Sequence, residues 1–153
     1  MAENETVITL GEDLATAETP PPLPAAMYPA RVKAFSKDPN KRGDGFNLVN
    51  QMEVFGTGKK DEAGRPYDGR AFTDWMPLPK PGDENDRWAQ GQTAREGKLA
   101  NIREFLAAIG YDFGKEGTLN FKKIVGAKCK IELAPDTDQR GRPVNRIVAY
   151  HKI

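Results

Sequence analysis

Apolar and polar residues alternate at a spacing of two along much of the chain, the pattern of strands with one face in a core. Five such stretches predict five strands. The first, Tyr28 to Phe35, turns Ala30, Val32 and Ala34 inward and Arg31, Lys33 and Phe35 outward. The second, Phe46 to Phe55, sets Phe46, Leu48, Met52 and Val54 against Asn47, Val49, Gln51, Glu53 and Phe55. The third, Ala71 to Leu78, is less regular. If Phe72, Met76 and Leu78 face the core, so does Asp74, which is costly without a hydrogen bond; Thr73 and Trp75 then face out. The fourth, Ala127 to Leu133, alternates cleanly, with Ala127, Cys129, Ile131 and Leu133 inward and Lys128, Lys130 and Glu132 outward. The fifth, Asn145 to Lys152, opposes Ile147 and Ala149 to Arg146, Val148, Tyr150 and Lys152.

Between the third and fourth strands the period changes. Leu99, Ile102, Leu106 and Ile109 recur at three- and four-residue spacing, and Phe105 widens the stripe, which predicts a helix over about Ala94–Ile109. Thr93 with Glu96 three residues on fits a capping box, and Gly110 fits the C-terminal stop. A short turn is expected at Phe121 to Ile124. The connections are polar and rich in Gly and Pro: Ser36–Gly45, residues 56–70, residues 79–93 and Pro135–Pro143. Three strands, one long helix, then two strands is the order of the OB-fold, a five-stranded, partly open Greek-key barrel. Other small α+β arrangements accept the same string.

Charge divides the chain in two. Residues 1–24 carry Glu3, Glu5, Glu12, Asp13 and Glu18 with no Lys or Arg, and end in a proline-rich run. They read as an acidic, flexible or extended arm, in which Val7, Ile8 and Leu10 have the composition for a short edge strand. Residues 25–153 hold all 23 basic groups against 17 acidic ones. An acidic arm on a basic body suits a body that meets a polyanion. With 153 residues, no apolar run long enough for a membrane span and no secretory leader pattern, the expectation is one domain in a reducing cytoplasm. A single cysteine, Cys129, excludes an internal disulfide framework and a cysteine-based zinc site.

Catalytic patterns fail on inspection. Gly91 to Leu99 has five residues between its glycines where a P-loop has four, and Leu99 stands where magnesium needs a hydroxyl. Asp136 to Gly141 opens like an EF-hand loop, but Arg140 and Ile147 occupy ligand positions. His151, the one histidine, supports no triad or metal set by itself. Paired carboxylates such as Asp61/Glu62, Asp83/Glu84 and Asp136/Asp138 fall in loops, where they solvate turns. The expectation is no catalysis and no cofactor, with a metal-dependent nuclease as a distant third reading.

Outward positions and loops collect cations and aromatic rings. The first strand and its loop offer Arg31, Lys33, Phe35, Lys37, Lys41 and Arg42. The second offers Asn47, Gln51 and Phe55, and the third Trp75. The fourth offers Lys128 and Lys130, and the last loop and strand Arg140, Arg142, Arg146, Tyr150 and Lys152. Cations track phosphates and aromatic faces stack unpaired bases. In an OB-fold the face of strands 2 and 3, with the loops joining strands 1–2 and 4–5, carries the ligand. The candidate nucleic-acid contacts are therefore Arg31, Lys33, Phe35, Lys41, Arg42, Gln51, Phe55, Trp75, Lys128, Lys130, Arg140, Arg142 and Tyr150. Outward lysines are ordinary on any strand, so the candidate is the set rather than any one member.

Four stretches carry a family resemblance: Leu23-Pro-Ala-Ala-Met-Tyr-Pro-Ala-Arg-Val, Gly69-Arg-Ala-Phe-Thr-Asp-Trp-Met-Pro-Leu, Lys98-Leu-Ala-Asn-Ile-Arg-Glu-Phe-Leu-Ala-Ala-Ile-Gly and Ile124-Val-Gly-Ala-Lys-Cys-Lys-Ile-Glu-Leu. In order and texture they resemble small phage-encoded single-stranded DNA-binding proteins, over roughly residues 23–152. The resemblance implies an OB-fold and protection of single-stranded DNA in phage replication or recombination, with phage or host replication proteins as further partners and the host cytoplasm as the location. Such proteins often end in an acidic tail that recruits partners; here the acidic stretch is N-terminal and the sequence ends Tyr-His-Lys-Ile. The alternative reading is a protein-interaction module, such as an inhibitor of a host replication or transcription enzyme or a virion component, without DNA affinity.

Overall fold

A computed structural model describes residues 6–11, 13–17 and 19–153. Glu3, Glu5, Glu12 and Glu18 of the expected arm lie outside the described residues. Within the arm, Val7, Ile8 and Leu10 are exposed and join no strand, and a single turn of helix, α1, spans Asp13–Thr16. The folded body begins slightly earlier than expected, at Leu23. Its side chain is buried, its N–H donates to Asn145 Oδ1 at 2.8 Å, and its carbonyl accepts from Asn145 Nδ2 at 2.9 Å.

All five strands form: β1 (Ala26–Pro39), β2 (Phe46–Val54), β3 (Ala71–Pro77), β4 (Lys128–Thr137) and β5 (Pro143–His151). They make one antiparallel sheet in the order β3-β2-β1-β4-β5. With every neighbour reversed, the edge strands β3 and β5 run in the same direction. No backbone ladder joins them among the described residues, so the sheet is not closed. Side chains meet across the gap, where Tyr150 Oη on β5 donates to Asp74 Oδ2 on β3 at 2.7 Å. The long helix α2 (Ala94–Ala108) contacts both edge strands, and a one-turn helix α3 (Phe121–Ile124) precedes β4. A 3₁₀ turn at Asp83–Asn85 packs on α2.

The helix has the ends its sequence calls for. Thr93 and Glu96 form the complete capping box. Gly110, at φ +70°, takes the left-handed position after the helix. Its N–H reaches Ala107 O and that of Tyr111 reaches Leu106 O, the double closure that satisfies the last carbonyls. Gly97 is required for a different reason: the Trp88 ring lies against it, in the space a Cβ would occupy. Ile102, Phe105 and Leu106 enter the core, but Leu99 of the expected stripe stays 43% exposed.

Two bulges alter the facing that strict alternation predicts. In β1, Val32 pairs with Met52 but Ala34 pairs with Gln51, so Lys33 is the extra residue. Lys33 and Ala34 both face out, and Phe35 turns inward. There it stacks on Phe105 (centroids 5.7 Å apart) and meets Phe121 edge-on. In β5, Glu132 pairs with Ala149 but Leu133 with Ile147, which makes Val148 the extra residue and turns both Ile147 and Tyr150 into the core. Phe35 and Tyr150 are therefore core residues and not outward contacts, because a one-residue bulge exchanges the two faces of a strand beyond it.

The inner face is apolar apart from a polar cluster of Asn50, Asp74 and the Tyr150 hydroxyl. Asn50 on β2 is fully buried opposite Asp74, and its Nδ2 donates to Tyr150 Oη at 3.1 Å. Asp74 does face inward, with the hydrogen bond that such a position demands. Cys129 lies among the buried residues of β4, and burial pushes its thiol up to about 11, so it serves as a small apolar group. Among the described residues, no helix is long and apolar enough to cross a membrane.

Candidate nucleic-acid interface

The outer face of the sheet gathers several of its exposed cations and rings in two places, joined by β2. The first is a groove of about 540 Å³ between the β1–β2 loop and the end of β3. Asp38, Lys41, Arg42 and Asp44 line one side, Trp75 and Lys80 the other, and Asn47 of β2 also lines it. Trp75 is 61% exposed although it sits in a paired strand, because its position on β3 faces away from the core.

The loop that builds this groove is held by local bonds. Asn40 N–H donates to Gly45 O, and Gly43, at φ +72°, closes back onto Asn40 O. Asn40 Nδ2 donates to Asp44 Oδ1 at 2.8 Å, and Lys80 Nζ donates to Asp44 Oδ2 at 2.7 Å. Lys80 and Asn40 together hold the Asp44 carboxyl at about 2, so it is an anion at all ordinary pH. A Cβ at Gly45 would stand 3.2 Å from Asn40 Nδ2 and 3.6 Å from Lys80 Cδ, so the glycine leaves room for this crossing. Lys80 is fixed from behind as well: its N–H donates to the buried Asp83, whose carboxylate also accepts from Lys98 Nζ of α2 at 2.7 Å. Lys80 is thus largely neutralised by Asp44. Among the described residues, Lys41 and Arg42 have no carboxylate partner and stand free for an anion.

The second place lies at the other end of β1. The Phe55 ring is flanked by Arg31, 5.7 Å from its centroid, and Lys128, 5.3 Å away. Arg31 and Lys128 are direct cross-strand partners on β1 and β4. Glu53 tempers this patch, accepting from Arg31 Nη2 at 2.8 Å and lying 3.9 Å from Lys33 Nζ. Gln51, between Glu53 and Asn47 on the outer face of β2, bridges the two places. Lys130 points outward on β4, opposite Pro29 and His151.

The expected contacts thus divide. Lys41, Arg42 and Trp75 share one groove, Arg31, Lys33, Phe55 and Lys128 share the second patch, and Gln51 lies between. Arg140 and Arg142 occupy the β4–β5 hairpin and do not line the groove; Arg142 is paired with Asp138 at 2.8 Å, whereas the Arg140 side chain has no partner among the described residues. Phe35 and Tyr150 are in the core. Lys80 joins the groove without any signal in the sequence, since it sits in a Pro/Gly-rich connection that has no period to read. No family model matches the chain, and no curated protein is significantly similar to it.

Proposed function

We propose that this chain is a sequence-tolerant binder of single-stranded DNA on an OB-type barrel, acting without chemistry of its own, as the resemblance to phage replication and recombination proteins implies. The observation that carries the reading is the groove: an exposed Trp75 faces Lys41 and Arg42, which have no carboxylate partner among the described residues, across space open to solvent. Phosphates then follow the loop cations while a base stacks on the indole, the two contacts a flexible single strand makes and a duplex, with its bases covered, does not. The fold supports the same reading. The strand order, the shared direction of β3 and β5 and the helix across their gap suit a partly open five-stranded barrel.

The test is an anisotropy titration of a labelled oligonucleotide against its duplex at about 50 and 200 mM salt. Preference for the single strand, weakening as salt rises, is the expected result. Absence of binding, or equal affinity for duplex, overturns it. A stoichiometric protein partner with no DNA affinity would replace it with an interaction module.

A further inference from the structure

Trp75 belongs to two cavities. On one side is the basic groove; on the other is a cleft of about 200 Å³ between β3 and β5, roofed by α2. Where the groove sets three cations beside Asp38 and Asp44, the polar lining of the cleft holds no cation: Asp74 from β3, Asn101 and Glu104 from α2, and Tyr150 from β5. Asp74 Oδ2 accepts from Tyr150, while Oδ1 has no hydrogen-bond donor among the described residues. Glu104 makes no ion pair among them either. The volume is below the ~300–1,000 Å³ of sites for drug-sized molecules, with room for one planar heterocycle.

We propose that this cleft adds a preference for guanine at one position to otherwise sequence-tolerant binding of a single strand whose phosphates lie in the adjoining groove, an inference that rests on the single-strand reading. The chemistry is one of matching edges. Two carboxylates offer acceptors only, and they suit a base with adjacent donors on its Watson–Crick edge. Guanine alone has that pair, N1–H and the N2 amino group, and its O6 acceptor suits the Asn101 amide. Cytosine and adenine present one amino donor beside an acceptor. Thymine sets its single N–H between two carbonyl oxygens, which the carboxylates repel. Trp75, as the common wall, stacks on a base and separates the acidic cleft from the phosphate path. The acidic side therefore does not oppose binding; it selects among bases.

The test compares oligothymidines of about 12 nucleotides carrying one central dG, dC, dA or dT. The dG strand is expected to bind about tenfold tighter than all-thymidine, with dC and dA between. Replacing the dG with deoxyinosine, which lacks the N2 amino group, should remove most of the advantage. In Glu104→Gln, a change at an exposed helix position, the dG-to-dT affinity ratio should fall to about two. Asp74→Asn, checked for folding by its melting curve, should lower the same ratio. Equal affinity for the four strands, with tryptophan emission still responding, overturns the guanine assignment and leaves the single-strand reading standing. A dG preference unchanged in Glu104→Gln and Asp74→Asn overturns the cleft as its source. Failure of every strand to bind removes both.

Discussion

Tyr150 and Asp74 join the two edges of the sheet. The hydroxyl on β5 donates to Asp74 Oδ2 on β3 at 2.7 Å and accepts from Asn50 Nδ2 on β2 at 3.1 Å. These side chains link strands that no ladder connects. Tyr150→Phe leaves the ring packed on Phe105 but strands a buried amide and a half-buried carboxylate. The expected loss is about 2–3 kcal/mol. Urea unfolding should show a lower midpoint with an unchanged slope.

Two carboxylates should give stability profiles of opposite sign. Burial, opposed by the Tyr150 bond, raises the Asp74 carboxyl above the usual range, so the native state binds its proton more tightly than the unfolded chain. Its contribution is present at acid pH and is lost as pH rises through the raised value, so Asp74→Asn should gain on the native protein across that rise. Asp83 is lowered, first by its bond from Lys98 and then by the Lys80 N–H. Its contribution is present above the ordinary carboxylate range and is lost as pH falls through the lowered value, so the penalty of Asp83→Asn should be largest near neutrality and fade in acid. Denaturant midpoints of both variants from about pH 3 to 7 check the two signs.

Trp75 contributes little to the core, so its removal should separate binding from folding. Trp75→Ala is expected to weaken single-strand affinity by about 1–3 kcal/mol, with a melting temperature close to the parent's. Lys41→Ala and Arg42→Ala should each reduce the slope of log affinity against log salt by about 0.7, the single-strand value for one phosphate contact. A uniform loss with no change of slope would remove them from the phosphate path.

Glu53 restrains the second patch. Glu53→Gln frees Arg31 and Lys33 from their shared carboxylate, and low-salt affinity should rise about two- to fivefold, an effect of the size of an exposed ion pair. The gain should shrink as salt is added, since these charges are open to solvent. An unchanged affinity at low salt would place the Phe55 patch outside the binding surface.

The alternation of Cys129, Ile131 and Leu133 made β4 legible, and the three- and four-residue spacing around Phe105, with Thr93 and Glu96 ahead of it, made α2 legible. Both are local patterns: burial imposes a period on a strand or helix whatever it packs against. The Asp74 conflict was legible too, as a carboxylate on an inward position that required a donor. The candidate surface was readable only as a pool of outward cations and rings, because a strand's period says which face a residue takes and not which neighbours share it.

Three features depended on the tertiary structure. Bulges at Lys33 and Val148 moved Phe35 and Tyr150 from the outside to the core; a bulge is defined by the partner strand and leaves no mark on the bulged strand's own composition. The groove required the β1–β2 loop and Lys80 to be brought together across 36 positions of sequence by Asp44. The cleft behind Trp75 required β3, β5 and α2 to converge. The sequence by itself determined the elements and their order, since those follow from local burial. Which side chains meet was decided by the folded sheet, since contacts between distant segments exist only once register and curvature are set.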